Sequence, residues 1–171
     1  MPFYPNLKFK KNDPERIKKE RGVANIKVLR KAMNRHFENS QKQQTLYSTI
    51  KIATWNLREF GSTKYKGRSF EELYYIAEII SRFDLIALQE IRANLSEFKK
   101  LIKLLGPSWS YIATDVTDGS PGNQERMVFL YNQQKIHFRN IAVVNPGQNK
   151  ARQMPGFCYS KIPSFSIACF I

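Results

Sequence analysis

Apolar and polar residues are arranged along the chain in a pattern that predicts alternating helices and short strands. Between residues 13 and 37, apolar side chains recur every three or four positions, which is typical of an amphipathic helix. Asp13 is placed to cap this helix, Pro14 suits its first turn, and a break or kink is expected near Gly22. Residues 1–12 are expected to be disordered or loosely packed, and residues 38–45 have the composition of a polar linker.

After residue 45 the pattern predicts short strands separated by two helices. Apolar stripes predict helices at 69–80 and 95–105, the first capped by Ser69 and the second stopped by Gly106 and Pro107. The order of elements favours an α+β fold, with a mixed sheet and helices on one face. The predicted strands are 50–55, 84–89, 109–114, 127–131, 137–144 and 165–171.

The first two predicted strands both end abruptly in polar side chains. Asn56 follows one of them, and Gln89 and Glu90 close the other. If these strands are neighbours, an amide oxygen and a carboxylate emerge together at one edge of the sheet, and both are hard ligands suited to Mg2+. A structural interpretation stays open for each residue: Asn56 as a turn residue, and Glu90 as a helix cap or surface acid.

Three motifs in this order resemble those of the endonuclease/exonuclease/phosphatase superfamily, the metal-dependent phosphodiesterases and phosphomonoesterases related to deoxyribonuclease I. The motifs are ATWN at 53–56, DLIALQEIR at 84–92 and GNQERMVFLY at 122–131. The resemblance covers residues 46–171 and leaves residues 1–45 as a basic N-terminal helical extension. It implies an α/β/β/α sandwich, of which this chain would form about one sheet with its covering helices.

The resemblance also implies roles for individual residues. Glu90 would be the metal carboxylate, and Asn56 beside it would orient the shell of a Mg2+ or Mn2+ ion, or the phosphate. Glu125 matches an acid that helps to hold a catalytic histidine. Arg92 matches a position that contacts substrate phosphate or DNA, although an arginine on a loop is often only solvated. His137 starts an earlier strand and is not expected to be catalytic.

Part of the family pattern is not found in this sequence. The family's catalytic histidine ends a strand that resembles residues 165–171, and the chain ends at Ile171. Neither the family's Asp-x-Asn motif nor its Asp-His pair occurs among the 171 residues. We therefore expect an incomplete, inactive hydrolase fragment from a truncated or frameshifted reading frame, with one apolar face of its sheet left uncovered.

Charge leaves a different class of function open. The net charge is +14; residues 1–45 contribute +8 (12 Lys and Arg against 4 acids), and residues 46–171 contribute +6 (16 against 10). Such a surplus suits a polyanionic partner, but it is also typical of a solubilising surface. The alternative to a hydrolase is thus a non-catalytic, basic fragment that binds nucleic acid or a protein partner, and a remnant without function is a third possibility. For the helix at 13–37, packing against the following domain is favoured over a nucleic-acid arm.

The remaining sequence features narrow the class of protein. Cys158 and Cys169 form neither a disulfide framework nor a metal-binding spacing. The sequence has no apolar run of about 18 residues and no apolar signal-peptide region, so we expect no membrane association and a cytoplasmic location. The substrate (DNA, RNA, inositol phosphate or another phosphoester) and the oligomeric state are left open.

Overall fold

In the part of the chain that the structure describes, helices pack against one mixed sheet of five strands. This computed structural model describes residues 1–41, 49–62, 64, 67–114, 125–137 and 164–169. The elements are a 3-10 helix at Pro5–Leu7, α1 (Arg16–Gln41), β1 (Thr49–Phe60), α2 (Phe70–Ile80), β2 (Leu85–Arg92), α3 (Ser96–Leu105), β3 (Trp109–Ala113), β4 (Glu125–Asn132) and β5 (Ser164–Cys169).

The sheet has the strand order β3-β4-β2-β1-β5. Strand β1 runs parallel to both β2 and β5, whereas β4 is antiparallel to β2 and β3. Because β1 and β2 are parallel and joined through α2, their carboxyl ends meet at one edge of the sheet. We call this edge, where Asn56 and Glu90 lie, the rim. The predicted α+β class with a mixed sheet is confirmed.

One face of the sheet forms the core with the helices. Ile86 and Leu88 of β2 are fully buried, and so are Val128 and Leu130 of β4. They form one cluster with the buried positions of α2 and α3. Residues 85, 87 and 89, which alternate with them, are only half-buried in the described structure. The period of two in burial shows which face of the sheet the helices cover.

Local sequence explains where α2 begins and which side of it is buried. The Ser69 hydroxyl accepts a hydrogen bond from the Glu72 N–H, and the Glu72 carboxylate accepts one from the Ser69 N–H, which completes a capping box. Leu73, Ala77 and Ile80 then lie on the buried side of the helix. The predicted cap and helix are confirmed, and α2 carries the chain back from the rim to the start of β2.

The N-terminal segment is more ordered than the sequence predicted. Pro2 is buried, and the Phe3 N–H donates to the Leu104 carbonyl at 2.6 Å. Tyr4 packs edge-on against Tyr74, with ring centroids 5.1 Å apart. The expectation of a disordered or loosely packed segment at 1–12 is therefore wrong for residues 2–4, because Pro2 is buried, Tyr4 packs against the hydrophobic core and the Phe3 backbone is bonded to α3.

Helix α1 is continuous through Gly22, so the expected break is absent. Gly22 is buried, and a Cβ there would lie 3.5 Å from the side chain of Leu7. The helix also runs to Gln41, so the linker prediction is wrong for residues 38–41, and residues 42–45 of that segment lie outside the described residues. The polar composition of residues 38–41 did not indicate that the helix would continue through them.

Helix α1 packs against α2 through paired charges and one core residue. Ile26 joins the hydrophobic core, Arg21 pairs with Glu71 at 2.6 Å, and Arg30 pairs with the buried Glu78 at 2.8 Å. A helix packed against the domain was the favoured interpretation, and these contacts support it. None of the helices in the described part of the chain is long and apolar enough to cross a bilayer.

Two predicted strands lie near the C-terminal end. Residues 138–144 of the strand predicted at 137–144 lie outside the described residues, and His137 itself is not in a strand. The last predicted strand is present as β5 beside β1.

Candidate active site

The backbone is irregular where β1 and β2 reach the rim. The pairing of β1 with β2 shifts register between Asn56 and Phe60, and that of β2 with β4 shifts between Leu88 and Ile91. Three residues in these shifts have left-handed backbones, with φ of 44° at Arg58, 47° at Glu59 and 59° at Glu90. Bulges of this kind redirect side chains and are frequent beside active sites. Non-glycine residues in this region carry strain that the surrounding contacts must offset.

The Glu90 carboxylate is held at both of its oxygens. The Asn56 amide N–H donates to Oε1 at 2.5 Å, and the Glu59 backbone N–H donates to Oε2 at 2.9 Å. The hydrogen bond from Asn56, then that from Glu59, together with the positive charges of Arg58 and Arg92, lower the pKa of Glu90. Glu90 is therefore an oriented, ionised carboxylate at neutral pH.

Asn56 uses both ends of its amide in this arrangement. Its Oδ1 accepts the Arg58 N–H at 2.7 Å while its Nδ2 faces Glu90. The side chain thus ties the irregular end of β1 to the carboxylate on β2, as an orienting group would. Asn56 is exposed and Glu90 half-exposed, and each Glu90 oxygen keeps lone-pair capacity for a further ligand.

Arg92 lies between two other acids of the rim. Its guanidinium is 3.3 Å from Glu59 Oε1 and 3.6 Å from Glu125 Oε1. Arg92 and Glu125 are also direct partners in the β2–β4 register. The structure therefore brings together all four residues singled out in the sequence, at neighbouring positions along one edge, and shows Arg92 in contact with carboxylates.

The donor set fits a hard divalent cation that keeps most of its own water. Mg2+ is usually held by one or two carboxylates together with substrate phosphate and water, and Glu90 provides one such carboxylate. No group of three or more His, Cys, Asp and Glu side chains in the described residues is arranged as a metal cluster. In this structure Asn56 presents its amide nitrogen to Glu90, which fits the orienting role; direct ligation of a metal by Asn56 stays a prediction.

Both histidines in the described residues lie away from the rim. His36 is on α1 beside Phe37, whose ring lies 5.6 Å from that of Phe83, just before β2. His137 follows β4, which ends beside the start of β2. Each is thus at the opposite end of the sheet from Glu90, and the expectation that His137 is not catalytic stays a prediction.

Three residues that contribute to the site were not singled out in the sequence. Arg58 and Glu59 lie two and three residues after Asn56, but the first strand was predicted to end at Trp55, and β1 continues to Phe60. Arg68 lay in a stretch interpreted as a basic loop, and its guanidinium donates to the carbonyl oxygens of residues 57 and 58. The sequence signal available for Arg58 and Glu59 was their charged side chains close after Asn56. Part of the contribution of Glu59 is made by its backbone N–H, which leaves no signal in the sequence.

Comparison with characterised proteins gives a partial match. The chain is 30% identical to bovine deoxyribonuclease-1 over 93 residues, which is 52% of this chain and 32% of that protein. It is 30% identical to the rat protein over 96 residues, covering 53% of this chain and 33% of that protein, and 29% identical to the human protein over 93 residues, covering 52% and 32%. No family model matches the chain.

Part of this chain is related to deoxyribonuclease I. The match confirms, for that part, the superfamily relationship predicted from the three motifs. The matched segments span about a third of the length of these relatives. The functional roles of Asn56, Glu90, Arg92 and Glu125 therefore stay predictions.

Proposed function

We propose that the rim is the metal-carboxylate part of a phosphodiester hydrolase site, with Mg2+ or Mn2+ as the metal and DNA as the substrate. The observation that carries this proposal is the Glu90 carboxylate, which is ionised, oriented at both oxygens and accessible from solvent. The similarity to deoxyribonuclease-1 from three mammals supports DNA as the substrate.

Each residue of the rim has a defined part in this proposal. Glu90 would hold the metal, which when bound stabilises negative charge on phosphate oxygens. Asn56 and the Glu59 N–H keep the carboxylate in one orientation. Arg58 is exposed beside Glu90 and would offer a positive charge to a phosphate bound there. Arg92 pairs with both Glu59 and Glu125 and offsets the repulsion between these two carboxylates.

We expect metal binding by this chain to be separable from turnover. Neither described histidine lies at the rim, and a general base typically contributes about 10^2–10^4-fold to the rate. The 171-residue chain is therefore expected to bind Mn2+ at Glu90 while cleaving DNA negligibly.

The test compares Glu90→Gln with Glu20→Gln as a matched control. Glu20 is an exposed acid on α1 that pairs with Arg16, so its loss removes the same charge without removing a contact of Glu90. Mn2+ binding is measured by water-proton relaxation, and cleavage by nicking of supercoiled plasmid. We expect Glu90→Gln to weaken Mn2+ binding at least about tenfold and Glu20→Gln to leave it unchanged. Equal Mn2+ binding by both variants would refute the proposal.

A second candidate function is supported by the surface of α1. Lys27, Lys31 and Arg35 are exposed at a spacing of four, which places three positive charges along one stripe of the helix. Such a stripe, on a chain of net charge +14, suits non-catalytic binding to nucleic acid. DNA binding that falls with salt, ignores Mg2+ and Glu90→Gln, and weakens in Lys31→Glu would favour this function over the hydrolase.

A further inference from the structure

The turn that follows Asn56 has a conformation that its residues do not favour by themselves. Arg58 and Glu59 are consecutive left-handed residues, and neither is a glycine. Each such residue costs roughly 1–2 kcal/mol relative to an ordinary backbone. Such a turn persists only where contacts over-determine it. The conformation of this turn directs the Glu59 N–H towards Glu90 Oε2, to which it donates a hydrogen bond.

Arg68 contacts this turn directly at its backbone. Its guanidinium donates to the carbonyl oxygen of Leu57, and to that of Arg58 at 3.2 Å. The guanidinium carbon also lies 5.6 Å from the centre of the Phe60 ring, where cation–π attraction favours it. The Arg68 N–H in turn donates to the buried Glu97 carboxylate, so this residue is fixed at its own backbone as well.

Two further contacts hold the turn through Glu59. The Glu59 carboxylate pairs with Arg92 on β2, and the Ser62 N–H donates to the Glu59 carbonyl at 2.9 Å. The contact from Arg68 differs from these because one guanidinium binds two consecutive carbonyl groups, those of Leu57 and Arg58, and so acts on the path of the backbone itself.

We propose that Arg68 is a positioning residue for Glu90: by binding the carbonyl oxygens of Leu57 and Arg58, it holds the left-handed turn that presents the Glu59 N–H to the carboxylate. The consequence for metal affinity rests on the proposed function, whereas the consequence for the Glu59 N–H does not.

Charge and geometry make opposite predictions for the loss of Arg68. Removing a cation near a metal site should leave metal affinity equal or raise it, because the repulsion between like charges falls. Loss of a group that orients a ligand typically weakens metal binding by about 10–100-fold. Weaker binding in Arg68→Ala is therefore a sign of positioning.

The experiment uses Arg68→Ala, Arg68→Lys and a control, Arg82→Ala, in the 171-residue chain. Lysine keeps the charge but lacks the planar fork that reaches two carbonyls. Arg82 is a matched control because its side chain has similar exposure, 22% against 29%, and pairs with Glu78 away from the rim. Hydrogen exchange of the Glu59 amide is measured by NMR without metal, and Mn2+ binding by water-proton relaxation.

We expect the Glu59 amide to exchange at least about tenfold faster in Arg68→Ala, as loss of a charge-assisted hydrogen bond predicts. Arg68→Lys should show the same direction of change, and Arg82→Ala should show none. Mn2+ binding should weaken about tenfold or more in both Arg68 variants. Unchanged Glu59 exchange in Arg68→Ala, or wild-type behaviour of Arg68→Lys in both measurements, would overturn the proposal.

The design separates this proposal from the proposed function. If the wild-type chain fails to bind Mn2+, the hydrolase proposal fails, and the Glu59 amide still decides the role of Arg68. The amide of Leu88, in the central strand β2, reports whether a variant is folded. If Arg68→Ala unfolds, the lysine variant decides the question.

Discussion

Replacing Glu78 by glutamine tests how the N-terminal segment is held to the rest of the chain. Glu78 is 1% exposed and accepts hydrogen bonds from three side chains: Arg30 at 3.0 and 2.8 Å, Arg82 at 2.9 Å and the Tyr4 hydroxyl at 2.7 Å. One carboxylate thus joins α1, α2 and the N-terminal segment. Burial would raise the pKa of Glu78, but the bonds from Arg30 and Tyr4 and the nearby positive charges outweigh it and lower the pKa.

The expected loss of stability follows from these contacts. Hydrogen bonds to charged groups contribute about 1.5–3 kcal/mol each, and removing one partner of a buried ion pair typically costs about 3–5 kcal/mol. The Arg30 and Arg82 side chains are 31% and 22% exposed, so they regain part of their hydration when freed. We therefore expect Glu78→Gln to lower the free energy of unfolding by about 2–4 kcal/mol.

Urea denaturation followed by circular dichroism measures this difference at several pH values. Because the folded pKa of Glu78 is depressed, its contribution is present above the unfolded pKa and is lost as pH falls through the folded pKa. The stability difference between wild type and Glu78→Gln should therefore be largest near neutral pH and shrink as pH falls from the unfolded glutamate pKa through the lower folded pKa, below which both carry an uncharged side chain.

A control variant separates this effect from a general loss of charge. Glu20→Gln removes an exposed acid whose pair with Arg16 has side-chain exposures of 46% and 45%, and it should change stability by less than about 0.5 kcal/mol. If Glu78→Gln is as stable as Glu20→Gln at pH 7, the ion-pair network does not hold the N-terminal segment, and the reasoning above is wrong.

Two further predictions concern the rim and its supports. In Asn56→Ala the Glu90 carboxylate loses its strongest hydrogen bond, so its pKa should rise towards the ordinary glutamate value in a carbon-13 NMR titration; an unchanged pKa would show that Asn56 does not orient it. Gly22→Ala should raise the melting temperature, because a Cβ fits at 3.5 Å within a helix and alanine gains about 0.5–1 kcal/mol. Gly61→Ala should lower it by more than that amount, since φ is +87° and a Cβ would lie 3.0 Å from the Asn94 carbonyl; equal melting shifts would contradict this difference.

The pairing of Asn56 with Glu90 shows how far sequence patterns reach. Each residue follows an apolar strand, and two parallel strands joined by a helix must bring their carboxyl ends to one edge. The sequence was therefore sufficient to place both side chains at the rim. It did not indicate which end of the Asn56 amide would face the carboxylate, because that depends on the backbone of the turn that follows.

By itself the sequence determined the α+β class, the helices α2 and α3, the order of the strands along the chain and the relationship to deoxyribonuclease I for part of the chain. These features depend on local periodicity, caps and short motifs, which one stretch of sequence carries alone. Only the tertiary structure decided that residues 2–4 pack on α2 and α3, and that Arg68 binds the turn beside Glu90. Those contacts join residues distant in sequence or depend on left-handed backbone angles, and neither leaves a periodic signal in the chain.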